Sequence, residues 1–557
     1  MNLLNDPWLS CCTRSGGLKR VSPLQVGDVD LLDIEALRPD FRGALHQLAI
    51  GLLQTAFAPK NLEEWCRRYA HPPGEEELSK AFAPYAHAFE LQNAAGPAFM
   101  QDFALVEPSR QLSVDELLID AGSDSNLHFN KPAHDPGLCP ICFAQALFTL
   151  QINAPPGGSG IRTSLRGGGP LTTLLLPTDE AATLWQKLWL NVLPLDALGY
   201  EPVRKLGDVL PWMAPARISE NGQITTPEEV HPLQAWWSMP RRIRMDASTT
   251  QQGQCMLCAA SDVPLIRHYL HRHSGTNYAG AWQHPLTPYY LDKKGGKPPI
   301  SAKGNRANKG YREWLGLVLG KGDHWPDNAR VVSYFNNHTI DLPQSPRVRL
   351  WCFGYATANM KALCWYESLL PVHRVKPDLL QSFTENVKHL LDAADEMARA
   401  LHKQVKAAWF SRPGDKPEEP AVQQSFWRGS EAVFYAALQR LAELDTFQSN
   451  ALLVPIYDDW LRQTYAQVLH LFDDWSMRGS VEELDWKRVI KARAALVKDL
   501  NRSRALKPLW ERIHRQQEKA AVTPKATPAT PGKAASRRPV ARPDQAGDVP
   551  PQQELFS

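Results

Sequence analysis

The sequence contains no stretch of about 18 consecutive apolar residues, so no segment reads as a membrane-spanning helix. Its start, MNLLNDPWLS, meets Asp6 and Pro7 without a basic region or an apolar run. That argues against a signal peptide and predicts a cytoplasmic protein. H-E-x-x-H, G-x-S-x-G and H-N-H-like patterns are missing, so no common hydrolytic constellation is encoded and no enzyme activity is expected. An excess of one charge is missing too. With 62 Lys+Arg against 59 Asp+Glu the formal net charge is +3, which leaves any nucleic-acid surface to local patches.

What is present describes a globular protein. A chain of 557 residues exceeds one core, so two or three domains are expected. Apolar content of 43% is ordinary for such chains. Eighteen tryptophans recur in every region (Trp8, Trp65, Trp185, Trp236, Trp351, Trp475) and are expected mostly as core or interface anchors. Nine cysteines without a secretion signal point to a reducing compartment.

The fold class expected is α+β: a large irregular N-terminal domain over 1–370, a four-helix bundle over 377–515, and a disordered tail over 516–557. In the first part, Leu45–Leu53 and Cys142–Ile152 suit buried helices. Pro346–Tyr355 sets Arg347 and Arg349 against Val348 and Leu350, a strand alternation. Ala362–Leu370 is its expected return partner, which leaves Ala356–Lys361 at an exposed tip. Beyond Pro377, Leu380, Phe383, Val387, Leu390, Ala394, Met397, Leu401 and Val405 recur at helical spacing. A second helix carries Phe426, Val433, Phe434, Ala437, Leu438 and Leu441. A third is expected to start at Pro455, and a capping box at Ser480–Glu483 to open the fourth. From Lys487 to Arg515, ten Lys and Arg face only Asp499 and Glu511, which tilts that helix and its continuation toward a polyanion or an acidic surface. The tail has little to bury. Its end, Gln552-Gln553-Glu554-Leu555-Phe556, resembles the Q-x-x-L-F peptides that dock on the bacterial sliding clamp.

Two features carry chemistry. Between Pro155 and Pro170 the chain reads PPGGSGIRTSLRGGGP, with six glycines and two arginines, Arg162 and Arg166. Glycine loses the most conformational freedom on folding, so the usual return is close backbone approach to something or a φ that other residues avoid. Flanking arginines suggest a phosphate or a base edge. No Gly-Lys-Ser/Thr follows, so this is not a P-loop; a flexible connector is the bland alternative. Cys139-Pro140-Ile141-Cys142 and Cys255-Met256-Leu257-Cys258 form two C-x-x-C pairs that together complete an all-thiolate structural zinc site with no open position. A redox pair is the rival for either alone. His268, His271 and His273 cluster without a carboxylate, which favours surface histidines or phosphate contacts with Arg267 and Arg272 over catalysis.

MNLL-D-W at the start, PAFMQ at 97–101, HFNKP at 128–132, the CPIC pair and NAPPGGSGIRTSLRGGGPLTT follow one another in a known order. In these stretches, and from Met1 to about Leu506, the chain resembles the large-subunit (CasA) family of the type I-E CRISPR surveillance complex Cascade. The resemblance implies a subunit of an RNA-guided DNA surveillance complex that recognises the protospacer-adjacent motif (PAM) in duplex DNA. It would enter from the minor groove, wedge the first base pairs apart to start the R-loop, and help recruit a helicase–nuclease. Other Cascade subunits, crRNA and target duplex are the implied partners. The minor-groove loop would be Gly157, Gly158, Ser159 and Gly160, with Phe129 and Asn130 on a docking loop that approaches the PAM. The wedge would lie around Asn359, with Lys361 beside it, where the family carries glutamine. The finger would be His273 next to Arg272, where the family carries lysine. Lys293 and Lys294 would hold duplex phosphate, and Arg162 and Arg166 would be phosphate or subunit anchors. A purely architectural subunit without its own DNA readout is the alternative.

Overall fold

Short apolar runs broken by Pro, Gly, Asn and Asp make short strands, and the computed structural model joins them into several small antiparallel sheets. It describes residues 1–522 except 94–95, 106–108, 121–135, 293, 295, 305–309, 321–325, 341, 343–344, 359–360, 411–419 and 479–483. The chain opens with β1 (Leu9–Thr13), β2 (Leu18–Val21) and β3 (Leu31–Ile34), in the order β2-β1-β3. Helices α1 (Pro39–Ala56), α2 (Leu62–Ala70) and α3 (Glu75–Phe82) follow, then β4 (Arg110–Ser113) and α4 (Pro140–Asn153). Next come β5 (Thr172–Pro177), the short helices α5 (Leu184–Trp189), α6 (Leu195–Leu198) and α7 (Leu206–Val209), and β6 (Arg242–Met245). A hairpin of β7 (Gln251–Gly253) and β8 (Val263–Leu265) leads to β9 (His268–Arg272). The pair β10 (Tyr289–Tyr290) and β11 (Ile300–Ser301) and helix α8 (Arg330–Tyr334) precede the long hairpin β12 (Val348–Ala358) and β13 (Lys361–Pro371).

The expected helices at Leu45 and Cys142 lie inside α1 and α4. Each starts with a proline in its first turn, where the missing N–H costs nothing. Both are apolar almost all round, and they pack on each other at the centre of the N-terminal part. The expected strand and its return are β12 and β13, paired from Arg349↔Pro371 to Ala358↔Lys361. On its other edge β12 pairs with β5, from Val348↔Pro177 to Phe353↔Thr172. A second sheet has the order β4-β9-β6, which makes β9 its middle strand.

The C-terminal part is helical: α9 (Leu380–Trp409), α10 (Pro420–Ala442), α11 (Asn450–Ser476), α12 (Trp486–Arg502) and α13 (Lys507–Val522). The stripe Phe383, Val387, Leu390, Ala394, Met397, Leu401 and Val405 is wholly buried, and α9 packs against α10, α11 and α12. Two boundaries differ from expectation. Helix α11 begins ahead of Pro455, because the Leu452 and Leu453 amides already donate to the Ser449 carbonyl and Leu453 is buried. Helix α12 is capped by Asp485, whose carboxylate accepts from the Arg488 amide at 3.0 Å; Ser480–Glu483 lie outside the described residues. The basic run is also less free than its composition suggests. Arg493 makes a two-pronged pair with Asp473, Arg488 donates to the Ala408 carbonyl, and Arg512 lies over the Tyr457 ring.

One continuous apolar core runs from Leu3 to Ile513. Nine tryptophans are almost wholly inside (Trp8, Trp185, Trp189, Trp212, Trp237, Trp314, Trp351, Trp427, Trp460), in keeping with the anchoring role expected of them. No helix among the described residues is long and apolar enough to cross a membrane. The C-terminal helices join this core through Tyr311, which stacks on Phe434 with centroids 4.1 Å apart and shares a 2.8 Å hydrogen bond with the Ser430 hydroxyl. Truncating such a buried aromatic costs about 3–5 kcal/mol, whereas losing one hydrogen bond costs about 1 kcal/mol. Tyr311→Ala is therefore expected to lower stability in a denaturant titration by several times as much as Tyr311→Phe. Equal losses would mean that packing at this contact is unimportant.

Candidate nucleic-acid interface and metal centre

The segment from Pro155 to Pro170 is a built loop. Its inner half is organised by Arg166, whose guanidinium is buried. It donates to Gln47 Oε1 (2.9 Å), Thr172 Oγ1 (2.9 Å), Thr287 Oγ1 (3.1 Å) and the Ile152 carbonyl (3.3 Å). None of these partners is a carboxylate. Burial pushes the guanidinium down to about 10, so it stays protonated at neutral pH. This corrects the expectation for Arg166: it anchors the loop to the core and does not reach a phosphate. The cause is a set of neutral acceptors brought together from distant elements. Arg162 stays nearer the surface, with Nε donating to Ser219 Oγ at 2.7 Å. The start of the loop is held by Arg241, which donates to the Pro155 carbonyl at 2.6 Å.

The outer half is bare. Gly158 has φ +90°, and a Cβ built there would meet nothing within 4 Å. Gly160 has φ +75°, and its Cβ would lie 3.0 Å from His273 Cβ. Left-handed backbone disfavours side chains at both positions. The Gly160 carbonyl accepts from the Ser274 amide at 2.7 Å, so the glycine loop and the segment after β9 are directly joined. Alternation along β9 turns Tyr269 and His271 inward and Arg272 outward. Register places His271 between Arg110 of β4 and Ile243 of β6. Burial and the neighbouring Arg241, His273, Arg110 and Arg242 push His271 down to about 4, which keeps it neutral at physiological pH. Of this histidine cluster, His271 is thus a core group, and the exposed end of the strand presents Arg272 and His273.

The second glycine triplet lies against β12. A Cβ on Gly169 would run into the Tyr355 carbonyl and Thr357, close to the hairpin end. Isolated bridges Pro170↔Lys303 and Gly304↔Ala356 tie the same region together. The structure therefore brings Gly157–Gly160, Arg272, His273 and the end of β12 together around one loop. Lys361 opens β13. Lys294 is exposed on a turn in which Asp292 accepts from its amide at 3.1 Å. Phe129, Asn130, Lys293, Asn359 and the C-terminal Gln552–Phe556 motif lie outside the described residues. Sequence reasoning missed Ser219, Glu220 and Arg241. The Ser-Glu-Asn-Gly turn at 219–222 was a legible turn signal, but nothing local linked it to the loop.

The four cysteines meet. Their sulfurs lie within 4.8 Å of one another, with Cys139, Cys142 and Cys255 buried and Cys258 half-buried. Cys139 caps α4 and Cys142 sits in its first turn, where the helix dipole favours thiolate. Cys255 and Cys258 sit in the loop of the β7–β8 hairpin, and the Met256 amide donates to the Gly137 carbonyl. Four thiolates this close repel one another strongly, so a cation among them is needed to keep all four charged. Zinc–sulfur bonds of about 2.3 Å place tetrahedral sulfurs roughly 3.8 Å apart, and Cys139 and Cys258 are 3.7 Å apart. The donor set fits a closed, structural metal site. Metal analysis of the purified protein is expected to return about one equivalent of zinc, lost in Cys255→Ser together with several degrees of thermal stability. A metal-free wild type of unchanged stability would refute the assignment.

Comparison with known proteins agrees with this architecture. Residues 2–471 match the family model of CRISPR-associated protein Cse1. The structure of Thermus thermophilus CasA (Cse1) superposes with a TM-score of 0.66 at 18% identity, covering 90% of this chain and 98% of that one. Cse1 from Acidimicrobium ferrooxidans gives 0.63 at 17%, covering 92% and 98%. A chain of a CRISPR RNA-guided surveillance complex gives 0.63 at 16%, covering 90% and 99%. At these identities the superpositions speak for the fold, while the family model spans most of the sequence. The chain belongs to the CRISPR-associated Cse1 family, also called CasA, the large subunit of type I-E Cascade.

Proposed function

We propose that this subunit reads the PAM within an RNA-guided DNA surveillance complex. It binds PAM duplex from the minor groove, parts the first base pairs to start the R-loop, and offers a docking surface to the helicase–nuclease. The chain itself is non-catalytic. Its partners are the other Cascade subunits with crRNA, and the target duplex. The observation that carries this reading is a single glycine-rich loop that meets His273 and Ser274 at Gly160 and the end of β12 at Gly169. A minor groove about 6 Å wide admits bare backbone more readily than side chains, and its degenerate pattern suits several related motifs. Arg272 and Lys294 are exposed cations placed for backbone phosphate. A hairpin end beside the loop is where a wedge would enter the base stack. In the same reading the metal is zinc, α9 to α12 form a four-helix bundle, and the protein works in the cytoplasm.

Gly158 is the cleaner probe of the two left-handed glycines, since its Cβ would point into open space while that of Gly160 would press on His273. Asp tolerates left-handed backbone better than most residues and places a charge where phosphates converge. Gly158→Asp is expected to weaken target binding by the reconstituted complex at least about tenfold, with assembly intact. A binding assay on a PAM library checks this. Unchanged affinity with unchanged PAM selectivity would favour the architectural reading.

A further inference from the structure

Ser274 connects three strands of chain. Its amide donates to the Gly160 carbonyl (2.7 Å) and its carbonyl accepts from the Ser219 amide (3.0 Å). Ser219 is buried. Its hydroxyl donates to the Gly275 carbonyl at 2.6 Å while accepting from Arg162 Nε at 2.7 Å. Its carbonyl accepts from the Gly222 amide at 3.3 Å. Every polar group of Ser219 is thus committed, which fixes the start of the next residue. Glu220 then enters a tight turn whose following residues, Asn221 (φ 67°) and Gly222 (φ 79°), are both left-handed. The turn aims the Glu220 carboxylate at Arg272, with Oε1 3.7 Å from Nη2 and both side chains 45% exposed. A carboxylate is an odd neighbour for a surface meant to receive phosphate. Of the charged groups facing it, Arg162 is engaged with Ser219, and Arg272 is the one it pairs with.

We infer that Glu220 is an ionic latch on Arg272, an affinity-setting residue of the duplex site that holds the guanidinium on the protein until a DNA phosphate displaces it. The inference rests on the PAM-reading proposal above. At 3.7 Å the pair is longer than a charge-assisted hydrogen bond of about 2.8 Å, so a competing phosphate has little to displace. A half-exposed pair of this kind is worth a factor of about five at most. That is enough to subtract from every encounter with duplex and too little to block a site that also engages the glycine loop. The latch lowers binding to DNA in general and leaves selectivity to the loop and the hairpin.

The test uses the reconstituted complex with PAM-containing and PAM-free duplexes over a salt titration, comparing wild type, Glu220→Gln, Arg272→Ala and the double variant. Glu220→Gln is expected to tighten both duplexes about three- to fivefold. The gain should shrink as salt rises, because screening weakens the exposed latch of the wild type while the number of phosphates neutralised stays the same. In the Arg272→Ala background the same substitution should change nothing. Unchanged or weaker binding by Glu220→Gln overturns the latch, as does a gain that persists without Arg272, which would mean direct repulsion of DNA. Glu220 is half-exposed and Gln is isosteric, so equal melting temperatures guard against a folding effect. If Gly158→Asp and Arg272→Ala weaken binding while Glu220→Gln does not strengthen it, only the latch fails. If neither of those weakens binding, the PAM-reading proposal fails with it.

Discussion

A buried guanidinium with only neutral partners holds this molecule's glycine-rich loop in place. Moving a charge out of water is costly unless its hydrogen bonds are replaced, and Arg166 replaces them with Gln47 of α1, Ile152 of α4, Thr172 of β5 and Thr287. Its own carbonyl accepts from the Ser301 hydroxyl of β11. These five groups come from five separate stretches of sequence. A glycine-rich segment cannot order itself, because its backbone entropy is the largest of any composition. Tying its inner arginine to the core fixes the segment at one point and leaves the outer glycines uncovered. The loop is then both bare and stationary, two properties that glycine alone does not combine.

The metal centre serves the same loop from the far end. Helix α4 runs from Cys139 and Cys142 to the first residues of the glycine loop, 14 residues and so about 21 Å. Strand β9 leaves the neighbourhood of the second cysteine pair, next to the Leu138↔Ile266 bridge, and ends at Arg272. Two elements that start at one cysteine cluster therefore finish at one loop, where Ser274 and Gly160 close the circuit. An ion clamped at their starts sets how they align at their ends. This explains why two C-x-x-C pairs so far apart in sequence are joined, when a compact ribbon would need no such spacing.

What could be read from the sequence was local. The spacing within each C-x-x-C pair, the stripe from Phe383 to Val405 and the alternation at Val348–Leu350 are short-range patterns, and each matches the element found there. Helix starts were less legible, since a first-turn proline signal at Pro455 competes with the burial of Leu453 and loses. The roles of Arg166 and His271 were not legible at all. Composition marks an arginine beside glycines as a phosphate ligand, and whether it turns inward depends on acceptors such as Gln47, 119 positions away. His271 faces inward by the alternation of β9, and which face of that strand is covered depends on the elements packed against it, which its own neighbours do not encode. Glu220 lies within a recognisable turn, yet its partner Arg272 is set by tertiary hydrogen bonds through Ser219 and Ser274.

Backbone strain marks the same two places independently, with Met100 a further site apart from them. Non-glycine residues with positive φ among the described residues are Met100, Asn221, Ala259, Asp262 and Ser274. Such conformations persist only where the surroundings over-determine them. Ala259 and Asp262 belong to the loop that carries Cys255 and Cys258, where a bound ion would supply the constraint. Asn221 and Ser274 flank Ser219 and Gly160, where the hydrogen bonds from Arg162, Ser219 and Ser274 supply it. Strain is thus concentrated where the chain must hold a shape that its own local preferences oppose. At the cysteine loop the holding group would be a bound ion. At the glycine loop it is a network of hydrogen bonds from Arg162, Ser219 and Ser274, which leaves the exposed pair Arg272 and Glu220 at its edge.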